Sequence, residues 1–400
     1  MKLLMYSTDR ALFDEDSPVR ARLLEQANLT TSLDVIVLTP TGDKFKEFKL
    51  GRKLVVRPTL SASKFAYLSD AYKIGKTILE NSEDKSKWLI TAQDPFLVGA
   101  LGYLLSRKFK IPLHLQLHTD PWSPEWRAER LRNKLELLIA SFLLTRAAGV
   151  RVVSQRVRTS VLSLGVTPDK ITRVPIWVDA AMFREGTANF NLHRTYPEFA
   201  HIILSIGRLQ PEKNYAKLIK VFSHLARVHN DTMLLIVGSG PERERLVNLS
   251  RTLGIEKSVV LLPWARDVVS YYKTSDIYVQ PSLYEGWCLT AVEAMSSGLP
   301  VVMTDVGCAG EVVRNEETGI VVPTGSEEAL TLALNRLIED SELRATLSTN
   351  GKEESKRLAT KEETLELYKE SWQKAYGKIE ATHSPKKKII EHGTKTKKKS

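Results

Sequence analysis

The sequence predicts an α/β protein built from two doubly wound parallel-sheet domains that face a cleft. Three observations carry that expectation. Short runs rich in Val, Ile and Leu alternate with amphipathic segments along most of the chain, which is the pattern of buried parallel strands separated by crossover helices. The alternation comes in two series, divided at about 180–198 by an irregular stretch holding Gly186, Asn189, Asn191 and Pro197. Finally, 400 residues, 42% of them apolar, are enough for two domain cores.

In the first series, strands are expected at Lys2–Tyr6, Leu33–Leu38, Trp88–Thr91, Pro112–Leu117 and Val150–Val153. Helices are expected near 18–28, 69–81, 95–108, 125–148 and 155–164. The second series places strands at His201–Ser205, Met233–Val237, Val259–Leu262, Ile277–Gln280, Val301–Thr304 and Gly319–Val322. Its helices fall near 211–229, 241–253, 266–273, 289–297, 308–313 and 326–338. The resulting divisions are an N-terminal domain at 1–185, a C-terminal domain at 186–350, a helical segment at 351–380 and a lysine-rich tail at 381–400. Ligands of doubly wound sheets bind beyond the carboxyl ends of the strands, so the loops that follow strands hold the candidate chemistry.

Composition excludes several classes. The apolar-leaning run Leu137–Leu144 is flanked by Glu136 and Arg146 and falls far short of the roughly 20 residues that a membrane span needs. Met1–Tyr6 meets polar Ser7 at once, so no signal peptide is expected. Two cysteines, Cys288 and Cys308, suit reduced thiols in a cytoplasmic protein. The net charge of +11 is concentrated in the tail, where Lys386, Lys387, Lys388, Lys395, Lys397, Lys398 and Lys399 face only Glu391. With no aromatic residue among them, these lysines read as a solvated end and not as a specific nucleic-acid grip. Glu125–Ala148 is expected to be a core helix with a polar face. The alternative is a peripheral contact with anionic membrane, at the inner membrane face, through Trp122, Trp126, Arg127, Arg130, Arg132 and Lys134.

Three strand-end segments carry chemistry. In Leu204–Asn214 a strand runs into Gly207, and Pro211 suits a first helical turn. Arg208 and Lys213 then project beside a helix N-terminus, an arrangement suited to a diphosphate. In Leu234–Glu242 a strand meets Gly238-Ser239-Gly240, but Arg243 stands where a dinucleotide fingerprint has its third glycine. This is a tight turn that lets a nucleotide approach the backbone. In Pro281–Met295, Glu285 and Gly286 lie in a loop and Glu293 lies about one turn into the following helix. The amides of Trp287, Cys288 and Leu289 are its first-turn donors, placed for a phosphate. A carboxylate pair also suits glycosidase chemistry, which leaves the adjoining cations unexplained.

In order and spacing, Gly207–Asn214, Gly238–Glu242 and Glu285-x7-Glu293 resemble the retaining glycosyltransferases of family 4, which have the GT-B fold. The resemblance extends through Ser297–Val302, Gly307–Glu311 and Glu317–Gly319 and covers about 145–340. It implies a nucleotide-diphosphate-sugar donor, a glycan, lipid-linked or small-molecule acceptor bound by the first domain, and no cofactor or metal. It further implies Arg208 and Lys213 on the diphosphate, Glu293 on the ribose, and Glu285 with the loop Gly307, Cys308, Ala309, Gly310 and Glu311 around the transferred sugar. His118, at the end of Leu115–Leu117, matches the family's acceptor-side histidine; His114 is expected to be packed. Departures are Tyr6-Ser7-Thr8-Asp9, where many members have a glycine-rich loop, and Trp287-Cys288 after Glu285-Gly286. Asp14-Glu15-Asp16 spells the metal motif of another transferase fold but reads as solvent-facing charge. An epimerase, a sugar phosphorylase or a non-catalytic nucleotide-sugar-binding module are the alternative functions.

Overall fold

The protein is described from a computed structural model over residues 1–377; the lysine tail lies outside the described residues. The first sheet contains β1 (Lys2–Ser7), β2 (Ser32–Val37), β3 (Phe48–Leu50), β4 (Leu54–Pro58), β5 (Trp88–Ala92), β6 (Leu113–Leu117), β7 (Gly149–Val152) and β8 (Ile171–Arg173). Its order is β3-β4-β2-β1-β5-β6-β7-β8, parallel throughout except for the β3–β4 edge pair. The second sheet contains β9 (His201–Ile206), β10 (Thr232–Val237), β11 (Val259–Leu262), β12 (Ile277–Gln280), β13 (Val301–Thr304) and β14 (Ile320–Val322), in the order β11-β10-β9-β12-β13-β14. All of its neighbouring pairs are parallel. Helices cover both faces of each sheet, so central strands such as Leu3–Tyr6 are wholly buried and read as continuous apolar runs. The two doubly wound domains predicted from the sequence are present.

Several elements depart from expectation. β3, β4 and β8 have no counterpart in the sequence reading; they are three to five residues long, lie at or beside sheet edges and carry Lys49, Arg57 and Arg173. Short charged edge strands lack a strong apolar signal. The segment at 125–148 is two helices, Pro124–Glu129 and Leu131–Arg146, separated by extended Arg130. Asn133 secures the break by donating to the Trp126 carbonyl at 2.6 Å. The segment at 308–313 is a succession of turns and not a helix, with Gly307 and Gly310 at positive φ. The crossing between domains also comes before residue 185: Val178 and Phe183 are buried in the core under the second sheet.

After Ser341–Ser355, which packs on the second domain, the chain turns at a capping box on Thr360 and Glu363. Helix Lys361–Tyr376 then lies on the first domain, with Trp372 and Ala375 in its core. His114 ties this helix to the sheet, because its two ring nitrogens bond Thr91 Oγ1 at 2.9 Å and Ser371 Oγ at 2.8 Å. Burial first, and the Arg151 cation second, hold the His114 pKa down at about 3. The folded chain therefore keeps the ring neutral while the unfolded chain protonates it below about pH 6.5. Stability is complete above that pH and is lost as the pH falls toward 3, by about 1.4 kcal/mol per pH unit for this group. Thermal melts of the wild type should show an acid slope that includes this contribution, and His114→Gln should make it shallower; an equal slope in the variant would contradict the assignment.

Candidate functional site

The carboxyl ends of the two sheets face each other. From the second domain, β9 ends at Gly207, and a short turn at Pro211–Lys213 leads to Asn214, whose positive φ of 58° starts helix Tyr215–Val228. That turn points Lys213 at the loop after β12, where its Nζ donates to Glu285 Oε1 at 2.5 Å. Both side chains are largely shielded from solvent. Ser282 Oγ and Gln280 Nε2 donate to the same carboxylate oxygen, at 2.8 and 3.3 Å. Burial works against charge on Lys213, but the Glu285 carboxylate outweighs it and the ammonium pKa is raised. Arg208 contributes a second cation nearby. Its side chain is 76% exposed and meets Glu212 at 3.5 Å, so it is free to turn onto a ligand.

Cys288 precedes helix Leu289–Ser297 with a left-handed φ of 82°. Among the described residues the amides of Trp287, Cys288 and Leu289 have no protein acceptor, leaving first-turn donors beside the Lys213–Glu285 pair. The Cys288 thiol is buried and its pKa is pushed up to about 12, chiefly by burial; Cys308 is likewise buried, and both thiols are free. Glu293, one turn along the helix, accepts from the Tyr272 hydroxyl at 2.9 Å. Burial raises its pKa and the tyrosine bond restrains the rise. The Tyr272 ring packs on Tyr278, which bonds Gln280, so the two acids are linked through a chain of buried hydrogen bonds and one ring contact.

From the opposite wall, His118 reaches the same cleft, and its carbonyl abuts Gly286, where any Cβ would overlap it. The His118 ring is solvent-accessible but ringed by protein. Burial first, then Arg151 and Arg22, lower its pKa to about 3, so it is a neutral hydrogen-bonding group. Further contacts join the domains: Tyr284 to Glu129 at 2.5 Å, Arg156 to Asp305, and Arg173 to Glu311. A cavity of about 360 Å³ beside Glu285 is lined by residues of both domains, including Asp120, Arg156, Tyr284 and Asp305.

Three expected roles are altered by this geometry. Gly238 and Gly240 lie against the backbone of Gly207 and Leu209, so their missing side chains are explained by two strand-end loops packing together, without a nucleotide. In the loop after β13, the amides of Cys308, Ala309 and Gly310 donate to Trp287, Val306 and Val313. They shape the site and are not free to bind a donor, whereas the Gly307 amide has no protein acceptor among the described residues. Glu311 takes the Arg173 cation and, at 2.7 Å, the Gln155 amide, which makes it a strut between domains instead of a sugar contact.

The glycosyl transferases group 1 model matches residues 195–354, and the glycosyltransferase family 4 model matches residues 25–181. Together they span most of the chain. It belongs to the group 1/family 4 glycosyltransferases. An uncharacterised glycosyltransferase of Haemophilus influenzae is 37% identical over 171 residues, 42% of this chain and 47% of that protein. The match thus spans about half the length of that relative. Sucrose-phosphate synthase of Thermosynechococcus elongatus shares the GT-B fold, with a TM-score of 0.77 at 20% identity over 94% of this chain and 100% of the other. HepE of Anabaena, solved with UDP-glucose, has a TM-score of 0.69 at 19% identity over 94% of this chain and 99% of that one.

In this family 4 chain, sequence reasoning overlooked Tyr272 and Tyr278 and the Gln280-Ser282 pair that holds Glu285. It also overlooked Arg151, wholly buried in β7. A signal for Arg151 was present, since a cation interrupts the apolar run Val150–Val153.

Proposed function

We propose that this chain is a metal-independent, retaining glycosyltransferase that moves a sugar from a nucleotide-diphosphate donor to a hydroxyl of a glycan, lipid-linked or small-molecule acceptor. The observation that carries this reading is the Lys213–Glu285 pair set beside unpaired first-turn amides at the carboxyl end of the second sheet. Lys213, Arg208 and those amides stabilise the charge that develops on the departing diphosphate. Glu285 orients the sugar, Glu293 holds the ribose, and the neutral His118 positions a hydroxyl across the cleft. The UDP-glucose held by the HepE structure supports a donor of that class. The test is incubation with a panel of nucleotide sugars and acceptors in excess EDTA, with the product anomer read by NMR. Expected is an α-linked glycoside from an α-linked donor, formed without metal. Donor consumption with no glycoside would sink the proposal and favour an epimerase.

We also propose that the protein works from the cytoplasm against an anionic membrane surface. Along helix Leu131–Arg146 the apolar side chains Leu131, Leu135, Leu138 and Phe142 share one face and are 87%, 61%, 68% and 45% exposed. The helix packs on the core through Ala140, Leu143 and Leu144, as expected of a core helix, but its outer face is apolar where a polar one was expected. Trp126, by contrast, is buried and stacks on Phe96. Exposed Arg127, Arg130, Arg132, Lys134 and Arg146 border the stripe, which suits an interfacial helix on anionic headgroups. Anionic vesicles should sediment the protein at low salt, and the double change Leu135→Glu with Leu138→Glu should abolish sedimentation; equal binding by the variant would refute the contact.

A further inference from the structure

The first domain holds a second cavity, of about 210 Å³, between the strand ends and helix Lys361–Tyr376. His118 stands in its lining together with Gln93, Gln116 and Tyr368. Beneath His118 lies the guanidinium of Arg151, wholly buried in the middle of an apolar strand. Its partners are neutral: Nη1 donates to Gln116 Oε1 at 3.1 Å, Nη2 donates to the Val174 carbonyl at 3.0 Å, and the Tyr368 ring lies 4.3 Å from its Cζ. Nη1 also lies 3.4–3.5 Å from both His118 ring nitrogens, and the buried Nε has no partner among the described residues.

Charge around the cavity does not cancel this cation. Arg22 lines the same wall and has no carboxylate partner among the described residues, while Glu25 is paired with Lys361. Asp9 is the remaining carboxylate there, and it caps the Ala11 amide. Arginine keeps its charge when buried, and a buried charge without a counter-ion is strongly unfavourable. A valine or isoleucine would suit this strand better unless an anion completes the site.

We propose that this cavity is an anion subsite for the acceptor: it takes an acceptor bearing a phosphate or carboxylate group, held by Arg22 and by the charge of Arg151 beneath His118. The proposal rests on the glycosyltransferase reading for the word acceptor, but the subsite can be measured without turnover. Full-length protein is titrated calorimetrically with glucose 6-phosphate, glucuronate and glucose at constant ionic strength. The phosphorylated or carboxylated sugar should bind at least about tenfold tighter than glucose, the scale of a hydrogen bond to a charged group. Arg22→Gln and Arg151→Gln should each erase that preference, and Lys213→Ala, on the donor side, should keep it. Arg22 is exposed, so its variant tests the subsite even if Arg151→Gln fails to fold. Equal binding of charged and neutral sugars would overturn the proposal. So would a preference that survives Arg22→Gln and vanishes in Lys213→Ala, because the anion would then occupy the donor site. An arginine-dependent preference in a protein that turns over no nucleotide sugar would sink the reaction and leave the subsite standing.

Discussion

Lys213→Ala should lower the rate of sugar transfer by about 100- to 1,000-fold while leaving the melting temperature within a few degrees of wild type. The rate effect follows from removing one preorganised group at the position where charge develops, which costs about 3–4 kcal/mol. Lys213 is better placed for this than Arg208, because Glu285 holds its ammonium at 2.5 Å in a shielded setting and outweighs the lowering of its pKa by burial. Arg208 must still give up its exposure and its contact with Glu212 to reach a ligand. Its alanine variant should therefore raise KM more than Lys213→Ala does. Fold is expected to survive in the lysine variant because Glu285 keeps the Ser282 and Gln280 hydrogen bonds. Product formation followed by mass spectrometry, with melts on the same samples, checks both halves. Near-normal turnover in Lys213→Ala would remove the leaving-group mechanism.

How much of this was legible beforehand varies with the physics of each part. The central strands of both sheets announce themselves because burial on two faces demands unbroken apolar runs. Strands β3 and β8 do not, because three residues with a charge among them resemble any loop. The meeting of Lys213 and Glu285 in one cleft was implied by motif order, but their direct pairing was not: it depends on Asn214 adopting a left-handed conformation, which composition does not dictate. The loop at Gly307–Gly310 shows the opposite case. The residue types are those of a ligand loop, but the chain satisfies the amides of Cys308, Ala309 and Gly310 internally, and sequence carries no record of which donors remain free. The exposed stripe on Leu131–Arg146 was present in the i, i+4, i+7, i+11 spacing of its apolar residues. What was missing was the side of the helix that the rest of the domain covers, which is set by Ala140, Leu143 and Leu144 packing inward.

Gly286→Ala should be as damaging to catalysis as loss of Lys213, for a reason that has nothing to do with charge. A methyl group at this position would overlap the carbonyl of His118 on the facing domain. Neither side can yield cheaply, since the new Cβ is fixed to the Gly286 backbone and would meet the backbone carbonyl of His118, the residue after β6. The relief available is for the two domains to separate, against the bridges Arg173 with Glu311, Arg156 with Asp305 and Tyr284 with Glu129. A displacement of about 1 Å between reacting groups can cost about 100-fold in rate, and here it would move His118 away from Glu285 while leaving each domain's core intact. On the proposed reading the second domain carries donor affinity, which should then stay within about threefold of wild type, since uniform binding and transition-state positioning separate in kinetics. The expected signature is thus a collapse of kcat with donor binding retained and a larger radius of gyration by small-angle scattering. Unchanged kcat would mean that the close approach of Gly286 to His118 is incidental, and that the cleft does its chemistry in a wider arrangement than the one described.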